Sequence, residues 1–428
     1  MSNEKFETAF TIDTSSIKFG TGVTAEVGYD MKKLGATRVL VVTDPNLTDS
    51  EPVSITIQSL REANIKVTLF DKSRVEPTDI SFKEAAKFAS KGNFDGFIGV
   101  GGGSSMDTAK IANLFSTYPA DFLTYVNAPI GKGLPVLGPL KPMIAIPTTA
   151  GTGSETTGVA IFDLVKMHAK TGIAHRTLRP IMGIIDPNNT RTVPKIATAS
   201  CGFDVLCHAL ESVTALPFNK RLAPKSLDLR PAYQGANPIS HLWASKAIEM
   251  VSENIVRVVQ DLSDDHARAE MILASTFAGI GFGNAGVHLA HGMSYPVSGM
   301  VREYKPEGII SDHPIIPHGM CVVLVSPAVF RFTAKIDPDL HLYAAKLMGV
   351  DISNVEKREA GDILADQIIK LMRATGMPNG LKAVGYSMSD IDELVQGTLP
   401  QHRVTKLSPR PFNAEDLRNM FMESMELW

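Results

Sequence analysis

The stretch FDGFIGVGGGSSMDTAKIANLF, residues 94–115, decides the fold. Its first seven residues are mostly apolar and predict a buried strand, which leads directly into Gly101, Gly102 and Gly103. A glycine run between a strand and a helix lets the backbone approach a pyrophosphate, and the helix N-terminus offers free N–H groups and a partial positive charge. The run is not a complete G-x-G-x-x-G fingerprint, so a tight strand–helix turn without a ligand stays open as an alternative.

Similar apolar runs flank this stretch and alternate with helical patterns. Continuous apolar strands between helices are typical of a mostly parallel sheet that is covered on both faces. The predicted strands are Arg38–Thr43, Ile65–Phe70, Met143–Ile146 and Gly183–Ile185, and the predicted helices between them include Ser54–Glu62 and Lys83–Ser90.

The pattern changes to helical spacing from about Val193 onward. We therefore predict an α/β NAD-binding domain, residues 1–190, and an all-helical metal and substrate domain, residues 191–428. Within the second domain only Cys321–Val325 suggests a strand. Residues 216–238 and 300–317 are irregular and rich in proline, and they are either binding loops or plain surface insertions.

Length and composition limit the class of protein. A chain of 428 residues suits two domains, and an apolar fraction of 44% is ordinary for a globular protein. The net charge of −3 gives no basic surface for nucleic acid, and no apolar run has the length of a membrane helix. Three cysteines and the absence of a signal sequence predict a cytoplasmic protein, or a mitochondrial matrix protein if the sequence is a mature eukaryotic form.

Two further features support a nucleotide site. Asp44 ends the first long strand, where a carboxylate can accept hydrogen bonds from a ribose and repel a 2′-phosphate, which favours NAD over NADP. The alternative is an ordinary Asp-Pro turn. Residues 148–155, TTAGTGSE, follow another strand and supply hydroxyl groups where ligands collect in α/β sheets, although a loop without function has the same composition.

A metal site is the second hypothesis. Asp204 and His208 are four residues apart and would share one helix face, but a simple helical Asp–His hydrogen bond is equally compatible. His291 and His318 each precede a glycine, which leaves room near the ring. One carboxylate and three imidazoles suit Fe²⁺ or Zn²⁺. His313 is a rival ligand, and the sequence does not show whether these residues converge.

Five motifs together resemble the iron-dependent alcohol dehydrogenases: GGGSSMDTAK, PTTAGTGSE, GFDVLCHALES, AHGMSYPVSG and PHGM. Further segments, including RVEPTD, RPAYQGANPIS and GTLPQHRVTKLSPRP, are similar to the hydroxyacid–oxoacid transhydrogenases of that family. The resemblance implies a dehydroquinate synthase-like fold and the metal ligands Asp204, His208, His291 and His318. It also implies nucleotide contacts by Asp44, Gly101, Gly102, Gly103, Ser104, Asp107, Thr148, Thr149, Ser154, Lys170 and Leu178.

One position departs from the wider family. Many members have a histidine four residues after the third ligand, where this chain has Tyr295. A tyrosine is a poorer base at neutral pH, so the proton acceptor stays open. We expect Tyr295 and His291 to be the catalytic residues.

The resemblance implies hydride transfer from 4-hydroxybutyrate to 2-oxoglutarate through tightly bound NAD. An ordinary dehydrogenase that releases NADH, a dehydroquinate synthase-like lyase and a non-catalytic NAD-binding scaffold are the alternatives. Both substrates carry carboxylates, so a cation should bind them. The candidate cations for this contact are Arg230, Arg302, Lys305, Arg403 and Lys406. We also expect a homo-oligomer.

Overall fold

The computed structural model describes residues 5–167, 169–227, 230–311 and 313–428. The chain forms two compact units. The α/β unit consists of residues 13–193, and the helical unit consists of the N-terminal segment up to Ile12 together with residues 194–428.

A six-stranded parallel sheet forms the centre of the α/β unit, in the order β1-β8-β5-β4-β2-β3. Alternate residues of β2 point to opposite faces, so Val39 and Val41 pack in one apolar cluster and Leu40 and Val42 in another. Both faces are therefore buried, which explains the continuous apolar runs in the sequence. The strands are β1 (Ser16–Phe19), β2 (Arg38–Val42), β3 (Lys66–Phe70), β4 (Gly96–Gly101), β5 (Met143–Pro147) and β8 (Met182–Ile185), with an antiparallel pair β6 (Val159–Leu164) and β7 (Ala169–Ala174).

Four α-helices accompany the strands in the described part of this unit. A capping box between Thr78 and Ser81 starts α3, and Asn93, with φ of 49°, ends it in the left-handed conformation. The N-terminus of α4 follows the glycine run directly, as the sequence predicts. The helices are α1 (Val27–Lys33), α2 (Glu51–Glu62), α3 (Asp79–Gly92) and α4 (Gly103–Thr117).

The helical unit is built from ten α-helices among its described residues. Gly376 ends α11 with φ of 76°, and an Asn413 capping box starts α14. The helices are α5 (Lys195–Thr214), α6 (Pro238–Gln260), α7 (Asp265–Ala285), α8 (Leu289–Gly299), α9 (His318–Thr333), α10 (Pro338–Leu347), α11 (Ala360–Thr375), α12 (Ile391–Thr398), α13 (His402–Thr405) and α14 (Ala414–Glu423).

The possible strand at Cys321–Val325 is wrong, because these residues lie inside α9. All five side chains are fully buried, so this helix is apolar around its whole circumference. A short apolar run without a polar face fits a strand and a buried helix equally well.

The N-terminal segment is held in the helical unit by side chains of residues 230–234. Gln234 exchanges two hydrogen bonds of 2.9 Å with the backbone of Thr11. Arg230 forms an ion pair with Glu7 at 3.0 Å. Composition does not reveal such long-range contacts, and the domain bounds 1–190 and 191–428 stay a prediction.

Across the described parts of the chain, no single helix has the length and apolar character needed to cross a membrane. α7 and α8 meet those requirements only when they are counted together, and a 105° bend separates them. Most of their side chains are buried within the helical unit.

Candidate metal centre and nucleotide site

Three helices of the helical unit bring the predicted metal ligands together. Asp204 and His208 lie one turn apart on α5, His291 lies on α8, and His318 is the first residue of α9. The three imidazoles surround one carboxylate oxygen, since Oδ1 of Asp204 lies 3.8 Å from Nδ1 of His208, 3.6 Å from Nε2 of His291 and 3.7 Å from Nε2 of His318.

These distances are too long for hydrogen bonds. The possible ligand atoms of Asp204, His208 and His291 lie within 4.8 Å of one another. Oδ1 of Asp204, Nδ1 of His208 and Nε2 of His291 are buried, and none of the described residues gives them a hydrogen-bond partner. Unpaired buried polar atoms are costly, and a divalent cation would satisfy all three. The donor set therefore fits Fe²⁺ or Zn²⁺.

His318 differs from the other three residues in its exposure. Its side chain is 24% exposed, against 3% for Asp204 and for His291. The ring of His208 is instead covered, because it stacks on Phe282 at 3.8 Å. The centre is thus closed at His208 and accessible at His318, as a catalytic metal site requires.

The glycines after the two histidines have a packing role. A Cβ at Gly319 would lie 2.0 Å from the carbonyl oxygen of Ser200, and a Cβ at Gly292 would lie 2.5 Å from Cγ2 of Thr405. Gly319 therefore lets the start of α9 approach α5, and Gly292 lets α13 pack on α8. The sequence indicated free space near the rings, whereas neighbouring helices fill the space.

Glu211 contacts the side of His291 opposite Asp204, and it was not among the residues predicted from the sequence. Its buried carboxylate accepts hydrogen bonds from the backbone N–H groups of His288, Ala290 and His291 and from Nδ1 of His291. This fixes the tautomer that leaves Nε2 of His291 facing Asp204. Glu211 follows His208 by three residues on the same helix face, which is the signal that could have identified it.

The electrostatics of the centre distinguish its histidines. Burial lowers the pKa of His208 to about 3. Burial also acts to lower the pKa of His291, but the charges of Glu211 and Asp204 outweigh it and raise this pKa to about 9. Burial opposes ionisation of Asp204, yet the neighbouring imidazoles hold its pKa well below the ordinary value. The site thus favours a positive charge between Asp204 and Glu211.

Two other histidines near these motifs have different partners. The Nε2 atom of His288 lies 2.9 Å from the hydroxyl of Thr214. The rival ligand His313 interacts with Ser311 in the irregular segment before α9. Neither belongs to the group formed by Asp204, His208 and His291.

Tyr295 lies one turn after His291 on α8, and its ring centroid is 6.4 Å from that of His318. Nη2 of Arg403 donates a hydrogen bond of 2.5 Å to its hydroxyl oxygen. The other candidate cations differ from Arg403. Arg230 pairs with Glu7, Arg302 pairs with Asp390, and Lys305 and Lys406 are exposed.

The predicted nucleotide residues lie at one edge of the sheet in the α/β unit. Asp44 follows β2, the glycine run ends β4, and Thr148 and Thr149 follow β5, and these strands are neighbours. The strand order reverses between β2 and β4, where open α/β sheets bind ligands. Gly101 has φ of 146°, and a Cβ at Gly103 would lie 2.6 Å from the side chain of Thr152, so the turn requires both glycines.

Other predicted nucleotide residues are used in internal contacts. Asp107 accepts hydrogen bonds from Ser154, from the buried Lys110 and from the backbone of Ile161. These contacts position the start of α4. Ser104 accepts a hydrogen bond from the backbone of Glu76, Lys170 forms ion pairs with Glu76 and Asp163, and Leu178 lies in an apolar cluster.

Residues 14–187 match the model "Iron-containing alcohol dehydrogenase", and residues 232–425 match "Fe-containing alcohol dehydrogenase family, C-terminal". A Bos taurus protein named "Hydroxyacid-oxoacid transhydrogenase, mitochondrial" is 54% identical over 98% of this chain and 91% of its own length. A Xenopus tropicalis protein of that name is 53% identical over 100% and 93%. The crystal structure of a 1,3-propanediol oxidoreductase has a TM-score of 0.85 at 26% identity, covering 97% of this chain and 100% of that one. The predicted fold class is confirmed.

Proposed function

The chain belongs to the iron-containing alcohol dehydrogenase family, and we propose that within it the protein acts as a hydroxyacid–oxoacid transhydrogenase. As a member of this family it is an oxidoreductase, which decides against the lyase and the non-catalytic scaffold. The observation that carries the finer proposal is the identity of 54% over 98% of the chain to a protein with that name.

Iron is the proposed metal, held by Asp204, His208, His291 and His318. A bound divalent cation supplies Lewis-acid chemistry, which acidifies a hydroxyl group or polarises a keto group. Glu211 keeps His291 in the tautomer that can act as a ligand, and Phe282 shields His208 from water. The exposed side of His318 is where a small substrate would enter.

Tyr295 remains the proposed proton-transfer group, and His291 takes part in the proposed reaction as a metal ligand. Its hydroxyl oxygen accepts a hydrogen bond from Arg403, so its own hydrogen can be donated to a substrate oxygen. Once that hydrogen has been donated, the phenolate oxygen beside the guanidinium can accept a proton from the hydroxyl group of the next substrate.

NAD is the proposed hydride carrier, bound at the edge formed by Asp44, the glycine run and Thr148. The carboxylate of Asp44 would accept hydrogen bonds from a ribose, and its charge would repel a 2′-phosphate. Burial raises the pKa of Asp44, and a hydrogen bond from the backbone of Asn46 opposes this effect.

The proposed substrates are 4-hydroxybutyrate as hydride donor and 2-oxoglutarate as acceptor, giving succinate semialdehyde and 2-hydroxyglutarate. The mitochondrial names of the relatives extend the proposal to the mitochondrial matrix, whereas a cytoplasmic location stays a prediction. Assembly into a homo-oligomer also stays a prediction, and sedimentation would test it.

The test is product formation from 4-hydroxybutyrate and 2-oxoglutarate by iron-loaded protein without added NAD. Equal amounts of 2-hydroxyglutarate and succinate semialdehyde are expected, because retained nucleotide would carry each hydride from donor to acceptor. If turnover needs free NAD⁺ and NADH accumulates without any oxoacid, the protein is an ordinary dehydrogenase.

A further inference from the structure

Arg403 has an unusual environment for a guanidinium group. Its Nη1 atom is buried and has no hydrogen-bond partner among the described residues. In residues 5–167, 169–227, 230–311 and 313–428, no carboxylate lies within 4.0 Å of its side chain. An arginine side chain stays protonated in proteins, so it cannot become neutral here. A buried charge without a counter-charge destabilises the fold.

Aromatic rings connect Arg403 to the metal centre on two sides. Nη2 is bonded to Tyr295, whose ring neighbours that of His318. The guanidinium carbon lies 5.0 Å from the centroid of Tyr233, whose ring makes an edge contact with Phe282, the residue that stacks on His208. The cation therefore lies beside the walls of the site and not on a remote surface.

The packing of α13 holds Arg403 in this place. α13 contacts α8 at Gly292, where any larger residue would collide with Thr405. The backbone carbonyl of Leu407, just after α13, accepts a hydrogen bond of 2.8 Å from Leu216. A cation on a fixed segment binds an anion with a smaller loss of conformational freedom than a flexible surface lysine does.

We propose that Arg403 binds the carboxylate of the hydroxyacid and oxoacid substrates and thereby selects acids over uncharged alcohols. This inference rests on the proposed function, since it concerns the substrate class of the same site. Tyr295 occupies one side of the guanidinium, and the carboxylate would bind at Nη1 after a shift of the side chains that cover it. A planar guanidinium can donate to both partners at once, which a lysine cannot do with the same geometry.

The binding test uses glutarate, a dicarboxylate without a reactive hydroxyl or keto group, and calorimetry on the iron-loaded protein. The substitution Arg403→Met should weaken glutarate binding by roughly 100-fold, because it removes the charged partner of a carboxylate. Arg403→Lys should restore part of the binding. Arg373→Met is the matched control, since Arg373 is exposed and lies over the ring of Trp428 at 5.9 Å.

A kinetic test separates this inference from the proposed function. Arg403→Met should raise KM for 4-hydroxybutyrate strongly and leave KM for butan-1-ol nearly unchanged. If glutarate binds equally to the wild type and to Arg403→Met, or does not bind the wild type at all, the inference is overturned whether or not transhydrogenation occurs. If Arg403 is needed for glutarate binding but no hydride passes between the two acids, the inference stands and the proposed function fails. Should Arg403→Met not fold, the outcome rests on Arg403→Lys, which must bind glutarate more weakly than the wild type.

Discussion

The buried carboxylate of Glu211 accepts a hydrogen bond from Nδ1 of His291, and the opposite nitrogen of that ring lies 3.6 Å from Oδ1 of Asp204. The two carboxylates thus lie on either side of one imidazole. Glu211 also accepts three backbone N–H groups around the start of α8. The same side chain therefore orients a proposed ligand and fixes the helix that carries it.

Glu211→Gln should lower iron affinity by about 10- to 100-fold, the usual effect of removing a carboxylate behind a histidine ligand. The neutral amide keeps the shape of the side chain but orients the imidazole less strongly. Chelator competition measures the affinity. Glu249→Gln, an exposed residue of α6 paired with Lys246, is the control and should bind iron like the wild type. Equal iron affinity in both variants would show that Glu211 only supports the fold.

The sequence was sufficient to predict the elements with a distinctive apolar pattern and the ligands with a distinctive residue type. A strand buried on both faces is apolar throughout, so the parallel sheet could be predicted from β2 and β4. Histidines at Gly-containing motifs could be proposed as ligands from their residue type and from family resemblance. The β6–β7 pair was missed, because AKTGIA, residues 169–174, has no continuous apolar run.

The sequence could not show which residues that are distant in the chain contact each other in the fold. Five cations were equivalent candidates for the substrate carboxylate, and only the structure shows that Arg230 and Arg302 already have acidic partners. The spacing from His208 places Glu211 on the same helix face, but it does not show that Glu211 bonds a histidine 80 residues away. Such contacts depend on how α5, α8 and α9 pack.

Gly319→Ala tests whether the approach of α9 to α5 creates the metal centre. The new methyl group would meet the carbonyl of Ser200 at 2.0 Å, so α9 must move and carry His318 away from Asp204. We expect loss of most bound iron and a loss of stability of about 1–3 kcal/mol. Iron content and urea unfolding measure the two effects.

The control for this substitution is Gly349→Ala. Gly349 has φ of 85° and nothing within 4 Å of an added Cβ, so its replacement strains the backbone without displacing a helix. It should lower stability and leave the iron content unchanged. Full iron occupancy in Gly319→Ala would contradict a role for this glycine in placing His318.

Asp44 provides a test of the nucleotide site. Asp44→Asn keeps an oxygen that can accept the hydrogen bond from Asn46 but removes the charge. If the carboxylate binds a ribose, NAD affinity should fall about tenfold and the preference over NADP should shrink, because the repulsion of a 2′-phosphate is lost. Fluorescence titration with both nucleotides measures this. Asp71→Asn, just after β3, serves as the control. If the ratio of the NAD and NADP affinities is unchanged in Asp44→Asn, Asp44 serves only in the turn after β2.

His341 lies away from the metal centre, and we expect it to make the stability of the fold depend on pH. It is fully buried on α10, where Nδ1 donates to the carbonyl of Asp337 and Nε2 lies 2.9 Å from the hydroxyl oxygen of Thr333. Burial lowers its pKa to about 4, the backbone contact with Asp337 opposes this shift, and His288 adds to it. The unfolded chain, with a histidine pKa near 6.5, therefore binds the proton more readily than the folded protein between pH 6.5 and about 4. The stabilisation that this group provides is complete above pH 6.5 and is lost as the pH falls through that window, by about 2 kcal/mol between pH 7 and pH 5.

Urea unfolding at the two pH values measures this loss of stability, and His341→Gln should reduce the loss by that amount. An equal pH dependence in His341→Gln and the wild type would mean that other groups cause the acid sensitivity.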